Sequence, residues 1–167
     1  MISSLQPSTD QPHVLAIDLG LRLGWSCYQS DGQLIAYGSH HCGQANKLNA
    51  LSYNALKRLP TRSQLFVEGS GSLLKYWVKN AKRFELSVTT LHAEEWRIDC
   101  LALKQRQCGK IAKAEALKMA RALIKSNAIQ AAASLRHDTA EACLIGWWAL
   151  HQLGWISTEQ FKTQLKL

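Results

Sequence analysis

The sequence lacks several features that would assign it to a particular class of protein. No uninterrupted apolar run approaches the ~20 residues that a membrane-spanning helix needs. The five cysteines include no C-x-x-C pair, so the sequence indicates neither a zinc site nor a disulfide framework, and we expect reduced thiols in or near the core. No internal repeat or low-complexity linker divides the 167 residues, a length that suits one domain.

Acidic residues are scarce relative to basic ones. The chain has 12 Asp and Glu against 20 Lys and Arg, which gives a formal net charge of +8. This excess favours a polyanionic partner such as nucleic acid, although many basic proteins bind none. The first 12 residues are polar and lack the apolar centre of a secretory signal. We therefore expect a flexible lead over residues 1–12, a single folded domain over 13–167 and a cytoplasmic protein.

The apolar pattern predicts three strands first, followed by alternating helices and strands. Strands are expected over residues 13–19, 24–28, 34–39, 64–67 and 87–91, with an Asp31-Gly32 turn between the second and third. Helices are expected over residues 46–59, 72–84, 93–103, 111–125 and 138–153, with a polar loop at 104–110 and a short helix after Ser157. Ser72 is the candidate cap of its helix. This order predicts an α/β fold with a five-stranded mixed sheet flanked by helices.

Four acidic residues stand where these elements could bring them together. Asp18 and Glu68 each end an apolar strand and precede a glycine, and ligand sites in α/β sheets form at the carboxyl ends of strands. Asp138 and Glu141 are three residues apart on the last long helix, so they share one face. Each acid alone is more readily explained as a turn, cap or solvated residue. As a set, they suit Mg²⁺ or Mn²⁺, and two such ions promote phosphodiester hydrolysis.

Four segments resemble, in order, the motifs of RuvC-type Holliday junction resolvases, a family with an RNase H-like fold. They are D-L-G-L-R-L-G-W from Asp18, F-V-E ending at Glu68, G-K-I-A-K ending at Lys113, and H-D-T-A-E-A from His137. The resemblance spans residues 18–150. Leu19 stands where bacterial resolvases commonly have a proline, and the fourth acid is a glutamate, as in phage or otherwise divergent members.

The resemblance implies a metal-dependent endonuclease that resolves four-way junctions by paired nicks. It assigns two Mg²⁺ or Mn²⁺ ions per site to four ligands: Asp18, Glu68, Asp138 and Glu141. Lys113 would contact the phosphate, with Lys110 as a second candidate. His137 would support a metal ion or the attacking water, but it can equally be a solvated residue beside the helix cap. A homodimer would supply the two nicks, and a branch-migration helicase is a further candidate partner.

The predicted helix 72–84 has a basic stripe at i, i+4, i+7 and i+8, formed by Lys75, Lys79, Lys82 and Arg83. The stripe is either a DNA-contacting surface or an ordinary solvated face. Three further residues, Lys104, Arg106 and Lys110, would extend it. The opposite, core-facing side is expected to hold Leu73, Leu74, Trp77, Val78, Ala81 and Phe84.

Several aromatic and apolar side chains have two interpretations. By the resemblance, the same helix pairs the subunits, with Tyr76 and Trp77 as interface candidates; core packing explains Trp77 equally well. A wedge at the junction would come from Leu73, Leu74 or Tyr76. Trp96 could stack on a base, but core packing is favoured for it, as it is for Trp147 and Trp148.

Two other functions compete with the junction resolvase. A ribonuclease acting on RNA–DNA hybrids usually has its second acid on a helix, unlike Glu68 at a predicted strand end. A non-catalytic DNA-binding module on the same fold would have no reason to keep four mutually repelling carboxylates.

Overall fold

The computed structural model describes residues 11–127, 129 and 134–166, so most of the expected lead over residues 1–12 lies outside the described residues. The strands are β1 (His13–Asp18), β2 (Arg22–Gln29), β3 (Leu34–His41), β4 (Gln64–Glu68) and β5 (Ser87–Leu91). The helices are α1 (Ala45–Leu56), α2 (Leu74–Arg83), α3 (Ala93–Cys100), α4 (Gly109–Ser126), α5 (His137–Gln152) and α6 (Thr158–Leu165). A short 3₁₀ helix, Leu103–Arg106, lies between α3 and α4.

The five strands form one mixed sheet in the order β3-β2-β1-β4-β5. The three N-terminal strands pair antiparallel, and β1, β4 and β5 pair parallel. Gly32, with φ of 93°, occupies the tight turn between β2 and β3, a conformation that glycine adopts without strain. The predicted α/β fold with a five-stranded mixed sheet is confirmed.

Helices cover both faces of the sheet, which explains why β1 is apolar at successive positions. Val14 and Ala16 belong to a core cluster shared with α3, α4, α5 and α6. Leu15 and Ile17, which point to the other side, belong to a second cluster shared with α1 and α2. The sheet is therefore the middle of three layers, and its two faces are filled by alternate residues of the same strands.

The central helix of the first cluster is α5, whose residues 139–150 are all buried. It packs directly on β2, where a Cβ on Gly146 would lie 2.6 Å from the Tyr28 ring. The Tyr28 hydroxyl donates a hydrogen bond to the Cys143 carbonyl at 2.9 Å, and the Ser26 hydroxyl donates one to the Ala142 carbonyl at 2.7 Å. These contacts fix the position of α5 along the sheet.

Some element boundaries differ from those predicted. The helix predicted to begin at Ser72 begins at Leu74, and its cap position is Leu73, so Ser72 is not the cap. The predicted loop at 104–110 is largely ordered as a 3₁₀ helix and the start of α4. The Gln105 side chain stabilises this 3₁₀ helix by accepting a hydrogen bond from the Ala102 amide at 2.8 Å, a local interaction that apolar periodicity does not reveal.

Two further expectations can be compared with the fold. All five cysteines are free, and four of them are buried whereas Cys108 is exposed, as expected for reduced thiols in or near the core. Among the described residues, no helix combines the length and apolar character needed to cross a membrane.

Candidate active site

The first two acids are brought together by the pairing of β1 with β4. In this parallel register Asp18 and Glu68 are direct partners, as are Ala16 and Phe66 two residues earlier. Partner residues on parallel strands point to the same face. Because Ala16 and Phe66 face the α5 side of the sheet, both carboxylates also lie on that side. The two strands are parallel neighbours, which is the condition under which their terminal acids meet.

A glycine on β2 lets the other two acids approach. Gly24 is the sheet partner of Asp18 on the opposite side from Glu68. A Cβ on Gly24 would lie only 1.9 Å from the Asp138 carbonyl oxygen and 2.5 Å from the Thr139 amide nitrogen. The first turn of α5, which carries Asp138 as predicted, therefore lies against the sheet beside Asp18. This close approach explains why the motif D-L-G-L-R-L-G-W, which starts at Asp18, has a glycine at position 24.

Asp18 lies within electrostatic range of the other three acids. Burial raises the pKa of Asp18 to about 8, with further increases from the negative charges of Glu68, Glu141 and Asp138. The pKa of Glu68 is also raised, mainly by burial, although the hydrogen bond from Trp96 opposes this. A carboxyl with a pKa near 8 is protonated over much of the neutral range unless a cation compensates its charge.

Three of the four carboxylates accept hydrogen bonds or ion pairs from the protein. Trp96 Nε1 donates to Glu68 Oε2 at 2.6 Å, and Arg97 forms an ion pair with Glu141 through Nη2 and Oε1. Asp138 accepts a hydrogen bond from its neighbour's amide at 2.7 Å and another from the Ser39 hydroxyl at 3.1 Å. Arg97 and Ser39 were not predicted from the sequence as partners of the acids. The available signal was weak: Arg97 is the one basic residue in the helix A-E-E-W-R-I-D-C.

The donor chemistry fits a hard divalent cation. Three elements supply four carboxylates, and burial together with the charges of the other three acids raises the pKa of Asp18. Within the described part of the chain, however, no three His, Cys, Asp or Glu side chains are grouped closely enough to hold an ion in this conformation. The hydrogen bonds and ion pairs just described hold Glu68, Asp138 and Glu141. Their roles as metal ligands stay predictions, and binding would require the carboxylates to move closer together.

The other predicted catalytic residues are exposed on α4 and α5, and only Lys113 is shown to act on the acids. Lys113 is exposed on α4, and its positive charge lowers the pKa values of both Asp18 and Glu68. Lys110 is exposed one turn earlier on α4, and His137 is exposed as the first residue of α5. Neither contributes to the perturbed pKa values of the two strand-end acids.

The basic stripe on α2 is exposed as predicted, at Lys75, Lys79, Lys82 and Arg83. The Lys75 ammonium lies 5.1 Å from the Tyr76 ring centroid, and the Arg83 guanidinium lies 5.1 Å from that of Tyr53. On the 3₁₀ helix Lys104 is exposed and Arg106 is half-buried. The stripe is therefore free to meet an external partner.

One apolar assignment on α2 is wrong, and one open alternative is decided. Val78 is 42% exposed, so it lies outside the core face where it was predicted; the buried position of that face is taken by Asn80, which donates to the Ser52 hydroxyl of α1 at 2.7 Å. Trp77 has no exposed surface and packs in the second core cluster, which decides between its two interpretations in favour of the core. Tyr76, Leu73 and Leu74 are half-buried.

The three other tryptophans with two interpretations are core residues, as favoured. Trp96 is fully buried, and Trp147 and Trp148 are 3% and 7% exposed. Trp148 Nε1 donates to Asp99 Oδ2 of α3 at 2.7 Å. Trp96 has a second role that the sequence did not reveal, because its indole is both core and hydrogen-bond donor to Glu68.

Comparison with known proteins gives a match in structure but not in sequence. No protein-family model matches the chain, and no curated protein does. The fold is similar to that of T. thermophilus RuvC, solved in complex with a Holliday junction substrate, with a TM-score of 0.62 and 16% sequence identity. The match covers 86% of this chain and 96% of that one. At this identity the likeness shows a RuvC-like fold.

Proposed function

We propose that this chain is a metal-dependent DNA endonuclease of the RuvC type that resolves four-way junctions. The observation that carries the proposal is the placement of Asp18 and Glu68 as sheet partners facing α5, within electrostatic range of Asp138 and Glu141. Burial raises the pKa of Asp18 to about 8, and the charges of the other three acids add to this increase. An acidic site of this kind at strand ends suits hydrolysis of a phosphodiester. The RuvC-like fold supports the same conclusion.

Each residue of the site has a role in this proposal. Asp18 and Glu68, with Asp138 and Glu141 of α5, would hold two Mg²⁺ or Mn²⁺ ions. Such ions supply an activated water and stabilise the leaving 3′ oxygen, which gives 5′-phosphate and 3′-hydroxyl ends. Lys113 would neutralise the phosphate of the cleaved strand, since its charge already reaches the two strand-end acids. His137, the first residue of α5 and the neighbour of Asp138 in sequence, would position or accept the proton of the attacking water.

The substrate part of the proposal is supported by the basic side chains of α2, the 3₁₀ helix and α4, all exposed except the half-buried Arg106. DNA phosphates would contact Lys75, Lys79, Lys82, Arg83, Lys104, Arg106 and Lys110. T. thermophilus RuvC was solved with a Holliday junction substrate, and we extend that substrate class to this chain. A two-fold homodimer would place two such sites on a nearly two-fold symmetric junction. The half-buried Tyr76 is its candidate contact, now that Trp77 is assigned to the core.

A non-catalytic DNA-binding module is the second candidate function. It is favoured by one observation: Glu141 is paired with Arg97, and in the part of the chain that is described the acids are not grouped closely enough to hold an ion. Calorimetric titration with Mg²⁺ and Mn²⁺, with and without junction DNA, separates the two candidates. Binding of neither ion under both conditions would favour the module.

The decisive experiment compares nicking and binding in matched variants. Asp18→Asn and Glu68→Gln should bind a mobile four-way junction as the unchanged protein does but lose Mg²⁺-dependent nicking. Glu94→Gln, which neutralises an exposed acid on α3, is the control and should nick normally. Linear, forked and single-stranded DNA and an RNA–DNA hybrid test the substrate class in parallel. Full cleavage by either site variant, or preferential cleavage of the hybrid, would contradict the proposal.

A further inference from the structure

Two consecutive residues of α3 bind the side chains of two of the four acids. Trp96 Nε1 donates to Glu68 Oε2 at 2.6 Å, and Arg97 pairs with Glu141 Oε1. The Arg97 guanidinium also lies 5.3 Å from the centroid of the Trp96 ring. The two acids belong to different elements, β4 and α5, so α3 joins them through one indole and one guanidinium.

The ion pair between Arg97 and Glu141 is buried, unlike the other ion pair at the site. The side chains of Arg97 and Glu141 are 13% and 6% exposed, whereas Arg136, which lies 3.6 Å from Asp138 Oδ2, has a side chain that is 53% exposed. A buried carboxylate needs a positive partner, because its charge has been removed from water. Arg97 supplies that partner for Glu141 within a site where three other acids repel one another.

The guanidinium is nevertheless incompletely satisfied. Its Nε is buried and has no hydrogen-bond partner among the residues that the structure describes. A cation held by some but not all of its donors is easier to displace than one with a complete set of partners. Arginine also has a long flexible stem, and Arg97 is not fully enclosed, so its charged end can swing towards solvent.

We propose that Arg97 is the counter-ion of this acidic site in the metal-free protein, and that a divalent cation must displace it from Glu141 in order to bind. The inference rests on the proposed function, since it assumes that Glu141 becomes a metal ligand. A guanidinium and a divalent ion carry charge of the same sign and compete for the same buried carboxylate. Arg97 thus keeps the acids together without metal and lowers the affinity for metal.

The first test is Mn²⁺ binding to DNA-free protein, measured by calorimetry. Arg97→Gln should bind Mn²⁺ about tenfold more tightly or better, equivalent to about 1.4 kcal/mol of removed competition. Arg97→Lys, which retains the charge, should stay close to the unchanged protein. Arg136→Gln removes the same charge from the exposed pair and should have a much smaller effect.

The second measurement is thermal stability in EDTA and in Mn²⁺. Arg97→Gln should lower Tm in EDTA, because Glu141 is left buried and unpaired, and Mn²⁺ should restore most of the loss. A loss of Tm that is equal in EDTA and Mn²⁺ would indicate a purely structural ion pair and overturn the inference. For a variant too unstable to purify, the Arg97 side-chain Nε resonance of the unchanged protein is followed by NMR. Saturating Mg²⁺ should shift it, and an unmoved resonance would also overturn the inference.

The outcomes separate this inference from the proposed function. If the unchanged protein binds Mn²⁺ and Arg97→Gln binds it no more tightly, the counter-ion role fails while the metal site stands. If neither the unchanged protein nor Arg97→Gln binds Mn²⁺ or Mg²⁺, the proposed metal site fails and this inference fails with it. Binding seen only in Arg97→Gln would support the counter-ion role strongly.

Discussion

Adding one methyl group to Gly24 tests whether the contact between β2 and α5 builds the site. The new Cβ would lie 1.9 Å from the Asp138 carbonyl oxygen and 2.1 Å from its carbonyl carbon. An ordinary contact is about 3.5 Å, so the start of α5 must retreat by about 1.5 Å. Both partners are backbone, and no side chain can rotate away. The cost should therefore reach the upper end of overpacking, about 3 kcal/mol.

This cost has two measurable consequences for Gly24→Ala. In a chain of this length, about 3 kcal/mol lowers Tm by roughly 6–12 °C. The displaced first turn also carries Asp138, and a misplacement of about 1 Å lowers a reaction rate by about 100-fold. We therefore expect junction nicking to fall about 100-fold at a temperature where the variant remains folded. Differential scanning calorimetry and a nicking time course measure the two effects.

Gly109→Ala is the matched control for this experiment. Gly109 begins α4, and a Cβ there would meet nothing within 4 Å. The same chemical change should leave Tm unchanged or raise it slightly, because alanine loses less backbone freedom than glycine on folding. A Gly24→Ala variant with the Tm and nicking rate of the Gly109→Ala control would refute the role assigned to this contact.

Two further predictions concern pH and salt. The pKa of Asp18 is raised to about 8 from an unfolded value near 3.8, so its contribution to stability is present below about pH 4 and is lost as the pH rises to 8. Urea unfolding in EDTA measures the free energy of unfolding of Asp18→Asn and of the unchanged protein. As the pH rises over that range, the variant should gain stability relative to the unchanged protein by on the order of 1.4 kcal/mol per unit of pKa difference. A difference between the two proteins that does not change with pH would contradict the assignment. The second prediction concerns the logarithm of the junction-binding constant plotted against the logarithm of the salt concentration. Replacing both Lys79 and Lys82 by alanine should make the slope of this plot smaller in magnitude by about 1.8, because each lysine is proposed to contact one phosphate. Lys162→Ala on α6 should leave that slope unchanged, and equal slopes in all three proteins would contradict a DNA surface on α2.

The sequence predicted the sheet and the two strand-end acids well, because local patterns determine both. The run from His13 to Asp18 is apolar and short, and Gly20 follows it, which is enough to predict a buried strand that ends in a carboxylate. The same argument applies to Glu68. Parallel pairing of the two strands then follows from a crossover helix, and their register places the two acids side by side.

The partners of the acids could not be predicted in this way. Arg97 and Glu141 are 44 residues apart in sequence, and Trp96 and Glu68 are 28 residues apart. Their contacts therefore depend on how α3 packs against the sheet and α5. The exposure of Val78 is a similar case. Helical spacing placed it on the apolar side of α2, but the neighbouring α1 presents Asn49 and Ser52, whose polar groups are satisfied by Asn80 in its place.

The burial of α5 along most of its length has a consequence for how the protein moves. The middle of the helix that carries Asp138 and Glu141 is also the centre of the larger core, so we expect its amide protons to be among the slowest in the chain to exchange with solvent. Asp138 and Glu141 therefore lie at the start of a rigid helix, and we expect adjustment to a substrate to fall to α3 and the ends of the strands.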